Sequence, residues 1–127
     1  MKEIVLVVED NERNRKLART ILEFRGFEVV ECEDGQPSLG LAKKHRPALV
    51  LMDIQMPVMD GITALRHLRA DPETAAIPVI AVTASVTATE REKVEAAGFN
   101  GYLGKPIDIN AFNEMVDRAV GRKGADA

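Results

Sequence analysis

Five side chains of complementary chemistry follow short apolar runs. Glu9 and Asp10 follow the run 4–8, Asp53 follows 48–52, Thr83 follows 78–82, and Lys105 lies just beyond 101–103. Carboxylates gathered at one place repel one another and call for a cation. Oxygen ligands without His or Cys suit a hard ion, Mg²⁺ with Mn²⁺ as a substitute, rather than zinc. Mg²⁺ keeps several waters and often completes its shell with phosphate oxygens. An ammonium and a hydroxyl nearby give a phosphoryl group a point charge for one oxygen and a hydrogen bond for another. A carboxylate can itself be the nucleophile that accepts this group. The residue types therefore point to Mg²⁺-assisted phosphoryl transfer to a carboxylate. Asp53, at the end of the central run, is the expected acceptor. One charged loop tip would mean only solvation, so the combination carries the inference.

These groups converge only if the apolar runs are parallel strands ending on one edge. The run 4–8 (IVLVV) is continuous, not alternating, as in a strand covered on both faces. Residues 27–32, 48–52, 78–82 and 101–103 give four more strands. Between them the period turns helical. Over about 11–25, Leu17, Ala18, Ile21 and Leu22 share a face while Arg13, Lys16, Arg19 and Glu23 point away, and Gly26 ends the helix. A second helix starts at Pro37 and runs to about His45, where Pro47 breaks it. A third carries Ile62, Leu65 and Leu68 and closes at Asp71-Pro72. A weakly amphipathic fourth spans about 87–97, with Ala88, Val94 and Ala97 as its apolar points and Gly98 as its cap. The last follows Asp108 and turns Phe112, Met115, Val116 and Ala119 inward. Alternation of this kind predicts an α/β fold, a parallel sheet with helices on both faces and right-handed crossovers. In such a sheet, ligands bind beyond the carboxyl ends of the strands.

Composition narrows the function. The 127 residues suit a single domain, expected over 1–121 with 122–127 as a flexible tail and no effector domain. A 46% hydrophobic share fills one core, and 4% aromatics leave it mainly to Val, Ile, Leu, Met and Ala. A net charge of −3 lacks the basic footprint of a nucleic-acid binder. No run approaches the roughly 20 apolar residues of a membrane span, no signal peptide is visible, and a cytoplasmic location is expected. The lone Cys32 excludes an internal disulfide and is expected as a buried small side chain. Met52, Met56 and Met59 are expected as packing and loop cover, and His45 and His67 as surface residues.

Taken in order, Val8-Glu9-Asp10-Asn11, Leu51-Met52-Asp53-Ile54-Gln55-Met56-Pro57 with Asp60-Gly61, Val82-Thr83-Ala84 and Lys105-Pro106 resemble the receiver domain of two-component response regulators, most of all the stand-alone receivers. The resemblance covers about residues 2–121. It implies a flavodoxin-like doubly wound (βα)5 fold with strand order 2-1-3-4-5. It implies that Asp53 is the phosphoacceptor, that Asp10 binds Mg²⁺ directly, and that Glu9 helps largely through water. The backbone carbonyl of Gln55 would be a further ligand, and Thr83 and Lys105 would contact the phosphoryl oxygens. The Lys105-Pro106 bond would be cis. Tyr102 would be the aromatic that turns inward after Thr83, or else an ordinary half-buried tyrosine on an edge strand.

The resemblance also implies that Gln55 and Ser85 flank the acceptor where receivers tune hydrolysis; neither is acidic, which predicts a long phosphoryl lifetime. Gly104, just before the lysine, is expected to loosen that loop. The expected donors are a sensor histidine kinase or a histidine phosphotransfer protein. Arg13, Arg15 and Leu17 would be docking residues, or plain surface and core positions of an amphipathic helix. A downstream protein would bind the face made by the fourth helix, fifth strand and fifth helix, and the chain itself would be a monomer or weak dimer. Two other functions stay open. An aspartyl-phosphate phosphohydrolase would want a second Asp two residues after the nucleophile, where this chain has Gln55. A binding module that has lost phosphorylation would not need all five groups.

Overall fold

The computed structural model describes residues 2–56, 58–84 and 87–121. The chain alternates β1 (Ile4–Val8), α1 (Glu12–Phe24), β2 (Glu28–Cys32), α2 (Ser38–His45), β3 (Leu49–Asp53), α3 (Gly61–Ala70), β4 (Val79–Thr83), α4 (Ala88–Ala97), β5 (Gly101–Gly104) and α5 (Ile109–Val120). All pairings are parallel, in the order β2-β1-β3-β4-β5. This is the doubly wound flavodoxin-like arrangement that the alternation predicts.

The strands form because they can be buried on both sides. β3 and β4 are buried at every position, and alternate residues feed different cores. Val5, Val7, Leu49, Leu51, Ile80, Val82 and Leu103 pack against Ala18, Ile21 and Leu22 of α1 and Phe112 and Val116 of α5. Leu6, Val8, Val50, Met52 and Val79 pack against Ala42 of α2 and Ala64, Leu65 and Leu68 of α3. Ala81 and Ile54 form a smaller third cluster with Val94 of α4, joined by Ile62, Phe99 and Tyr102. Asn11, Asp60, Thr87 and Asp108 cap α1, α3, α4 and α5, each accepting from backbone amides of the first turn.

Several expectations need correction. Leu17 does not join the inner face of α1; it is 38% exposed at the margin of that face. Ala88 is exposed, Val94 is the fully buried residue of α4, and Ala97 packs partly buried against the second cluster, so this helix is lightly held. Cys32, the last residue of edge strand β2, is half-buried rather than core. Its thiol is still pushed up to about 12, mainly by burial and then by Asp34. His45 is half-buried, whereas His67 is exposed.

At the end of the sheet away from the strand carboxyl termini, Arg69 acts as a strap. Its guanidinium donates to the carbonyls of Ala75 (3.1 Å), Ile77 (2.7 Å) and Gly98 (3.4 Å) and to Oδ1 of Asn100 (2.8 Å). The same Asn100 oxygen accepts from the Val79 amide at 2.8 Å. Arg69→Met keeps the aliphatic stem and removes every donor. It is expected to lower stability by about 2–3 kcal/mol, the scale of charged hydrogen bonds lost to partly buried acceptors. A urea midpoint that falls with an unchanged slope is the expected signature.

Candidate phosphoacceptor and metal site

The carboxyl ends of β1 and β3 place Glu9 and Asp53 side by side, because Val8 pairs with Met52. Asp53 pairs with Val82, and Thr83 pairs with Gly104, so Thr83 and the chain leading to Lys105 border the same edge. Glu9 and Asp53 are 5% and 3% exposed, while Asp10 faces solvent. Carboxylate oxygens from these three residues all lie within 4.8 Å of one another. Lys105 reaches over them, with Nζ 2.9 Å from Glu9 Oε1 and 3.1 Å from Asp53 Oδ2. The Lys105-Pro106 peptide is cis, and the Lys105 amide donates to the Thr83 carbonyl at 2.9 Å.

The electrostatics follow from crowding. Burial, and then Glu9 beside it, push the Asp53 carboxyl up to about 7, against the pull of Lys105. Burial works against the Lys105 charge, but hydrogen bonds to Glu9 and Asp53 outweigh it and hold the ammonium above its usual range. One lysine cannot balance three carboxylates, so the cluster retains room for further positive charge. Its donors are all oxygens, which fits a hard divalent ion such as Mg²⁺.

Local backbone contacts aim the carboxylates. The Gln55 amide donates to Asp53 Oδ1 at 3.2 Å, and the Asn11 amide donates to Glu9 Oε2 at 3.1 Å. The Gln55 side chain is exposed. Ser85 and Pro57 lie outside the described residues. Met56 and Met59 pack partly buried against the second core cluster, as packing and loop cover. Tyr102 is half-buried in the third cluster and lines a groove of about 410 Å³ with Arg91, Val94 and Glu95 of α4 and Met115 and Arg118 of α5. Sheet parity puts Ala81, Thr83 and Tyr102 on one face, because Ala81 pairs with Tyr102.

Two supports escape a reading by residue type. Arg15 donates from Nη1 to the Glu9 carbonyl at 3.0 Å and is only 15% exposed, so it is engaged inside the molecule rather than offered as a docking side chain. Gly61 lets the start of α3 press against the backbone at Asp53 and Ile54. A glycine after Asp60 signals a helix start, but not what the helix start touches.

The acceptor loop also carries strain. Val58 has φ of 68° and is 80% exposed. A β-branched residue in the left-handed region is costly, by about 1–2 kcal/mol. Val58→Asn is expected to raise the thermal midpoint by ~3–5 °C, about 1 kcal/mol for a domain of this size. Differential scanning calorimetry checks it, and a lowered midpoint would mean that the loop depends on the valine.

A sheet of this order, with carboxylates and a lysine gathered at its carboxyl edge, accords with the family to which the chain belongs: the response regulator receiver domain family, whose model matches residues 5–117. Its curated relatives include the polar-differentiation response regulator DivK of Brucella anthropi. That protein is 40% identical over 121 residues, spanning 95% of this chain and 98% of DivK. DivK of Brucella ovis matches at the same identity and coverage. Among solved structures, the receiver domain of the sensor histidine kinase PA1611 from Pseudomonas aeruginosa is 33% identical with a TM-score of 0.88. The match covers 95% of this chain and 99% of that one, which holds a magnesium ion coordinated in its active site cleft. The chemotaxis protein CheY4 of Vibrio cholerae is 26% identical, with a TM-score of 0.87 over 94% of this chain and 99% of that one. No helix among the described residues is long and apolar enough to cross a membrane.

Proposed function

We propose that this receiver accepts a phosphoryl group on Asp53 from a phosphohistidine and signals through the change in shape that follows. The observation that carries this is the buried Asp53 carboxylate, held between Glu9, Asp10 and Lys105 at the mouth of the sheet. The carboxylates of Glu9, Asp10 and Asp53, with the backbone carbonyl of Gln55, would hold Mg²⁺, for which Mn²⁺ can substitute. When bound, the ion neutralises charge on the transferring oxygens. An Asp53 oxygen forms the new P–O bond as the P–N bond of the donor breaks and its electron pair returns to the imidazole. Lys105 and the Thr83 hydroxyl then receive the phosphoryl oxygens.

Thr83 and Tyr102 lie on one face of the sheet, so a displacement of Thr83 toward the phosphate opens space for Tyr102. This two-state element remodels the face made by α4, β5 and α5, where a downstream protein would bind. α4 is suited to move, because Val94 is its one fully buried residue. The donor would be a sensor histidine kinase or a histidine phosphotransfer protein in the cytoplasm, with residues 1–121 as the switching unit and the chain a monomer or weak dimer. The lack of an acidic group at Gln55 supports a long-lived phosphoryl group rather than turnover of phosphoesters.

Acetyl phosphate and Mg²⁺ provide the test. A receiver gains a single phosphoryl group, seen by intact mass, and loses it slowly. Release of phosphate from added phosphoesters would instead mark a phosphohydrolase. Neither uptake nor turnover would mark a scaffold that only binds.

A further inference from the structure

We propose that Arg15 is a positioning residue for the metal site: it fixes the peptide group between Glu9 and Asp10 and thereby sets the affinity for the divalent ion. This rests on the carboxylate cluster being the Mg²⁺ site proposed above. The Glu9 carbonyl that accepts from Arg15 Nη1 at 3.0 Å belongs to the peptide unit joining Glu9 to Asp10. That unit is planar, so holding its oxygen fixes the direction in which the chain enters Asp10. The amide at the other side of Glu9 is also tied, donating to the Cys32 carbonyl at 3.1 Å. Glu9 is thus held at both backbone groups, while its carboxylate takes the Asn11 amide and Lys105. Asp10 is exposed, so the backbone leading into it carries much of its aim.

Arg15 itself lies at ion-pair distance from two carboxylates. Its Nε lies 3.8 Å from Glu31 Oε1 and its Nη2 lies 3.6 Å from Glu33 Oε1. Arg19 pins the other oxygen of Glu31 at 2.9 Å. The acidic side chains at the end of β2 therefore do two things. They draw the guanidinium toward β2, and they offset a positive charge that would otherwise repel a nearby cation. These effects have opposite consequences on truncation. If Arg15 acted only through its charge, removing it would tighten Mg²⁺ binding. If it positions the Glu9–Asp10 turn, removing it weakens binding.

Isothermal titration of Mg²⁺ into wild type, Arg15→Ala, Arg15→Lys and Glu31→Gln, with urea unfolding of each in EDTA, separates the two. The expected result is a dissociation constant raised roughly tenfold in Arg15→Ala, the scale seen for residues that orient ligands. A smaller rise is expected in Arg15→Lys, whose single ammonium can reach the carbonyl but lacks the fork. Glu31→Gln, which removes one of the two carboxylates beside Arg15 without touching the cluster, should also weaken binding modestly. An unchanged or lowered constant in Arg15→Ala, even with a lower urea midpoint, overturns the proposal. Should that variant not fold, an unchanged constant in Arg15→Lys overturns it instead. A wild type that takes up Mg²⁺ while the variants match it refutes the role of Arg15 alone. A wild type that takes up none refutes the metal site and this role together.

Discussion

Asp53→Asn is expected to take up no phosphoryl group from acetyl phosphate under conditions in which the wild type takes one. An amide oxygen is a poor nucleophile and a poor ligand for a hard cation, so the substitution removes acceptor and metal ligand together. Shape is nearly unchanged, and the Gln55 amide can still donate to the remaining oxygen. The same substitution is expected to stabilise the metal-free fold. Burial and Glu9 push the Asp53 carboxyl up to about 7, above its ordinary value of 3.8. Between those two values the folded protein holds a proton that the unfolded chain has lost. Metal-free stability therefore falls as pH rises through this window, and the stability present at low pH is gone above about 7. Asn carries no such charge and leaves Lys105 paired with Glu9. Asp53→Asn should thus be more stable than wild type at pH 7 in EDTA by about 1–2 kcal/mol, with a flatter pH profile. Mg²⁺ should stabilise the wild type more than the variant. A phosphorylated Asp53→Asn, seen by intact mass, would sink the assignment of the acceptor. A variant less stable in EDTA would mean that the Lys105–Asp53 contact outweighs the crowding.

The central strands β1, β3 and β4 and their ends are legible because buried parallel strands are written as continuous apolar runs that stop abruptly. The polar residue after each stop marks the working edge of the sheet, so Glu9, Asp53 and Thr83 could be placed before any contact was known. Helical faces were legible less sharply. On α1, Leu17 lies about 40° from Ile21 around the axis, on the side away from Ala18 and Leu22, and falls at the margin of the buried arc. Periodicity alone does not say where that arc ends. Cys32 departs from the buried expectation because it ends edge strand β2, whose acidic Glu28 and Glu31 already mark a less covered strand.

What the residues could not disclose were contacts between side chains and distant backbone. Arg15 and Arg69 look like ordinary helix-surface arginines in the sequence. One holds the Glu9 carbonyl and the other straps the segments before β4 and β5. Backbone carbonyls carry no sequence signature, so an arginine that binds them resembles one that binds water. The two act at opposite ends of the sheet. Arg15 steadies the acidic mouth, whereas Arg69 anchors the Gly98 end of α4, leaving the Thr87 end nearer Thr83 as the end better placed to respond.

Gly61→Ala sets two magnitudes against each other. Alanine is the better helix former by at most about 1 kcal/mol, and by less at the first residue of a helix. Against this, a Cβ at Gly61 would lie 2.9 Å from the Cα of Ile54 and 3.1 Å from the carbonyl carbon of Asp53, and would press on the Asp53 oxygen. All of these are backbone atoms, so no flexible side chain can give way. Overpacking of this kind costs about 1–3 kcal/mol or more. Sterics should win, with a net loss of about 2 kcal/mol and a thermal midpoint lower by ~5–10 °C. The displaced segment carries the acceptor, and the Ile54 amide that bonds the Val82 carbonyl at 3.0 Å moves with it. Phosphoryl uptake should therefore slow by up to about 100-fold, the effect of misplacing a reacting group by ~1 Å. Gly40→Ala is the matched contrast. Gly40 lies within α2 and a Cβ there would meet nothing within 4 Å, so helix propensity acts alone. That variant should gain up to about 1 kcal/mol and phosphorylate at the wild-type rate. If Gly61→Ala matched Gly40→Ala in both calorimetry and uptake, the contact between the start of α3 and the acceptor backbone would have no part in placing Asp53.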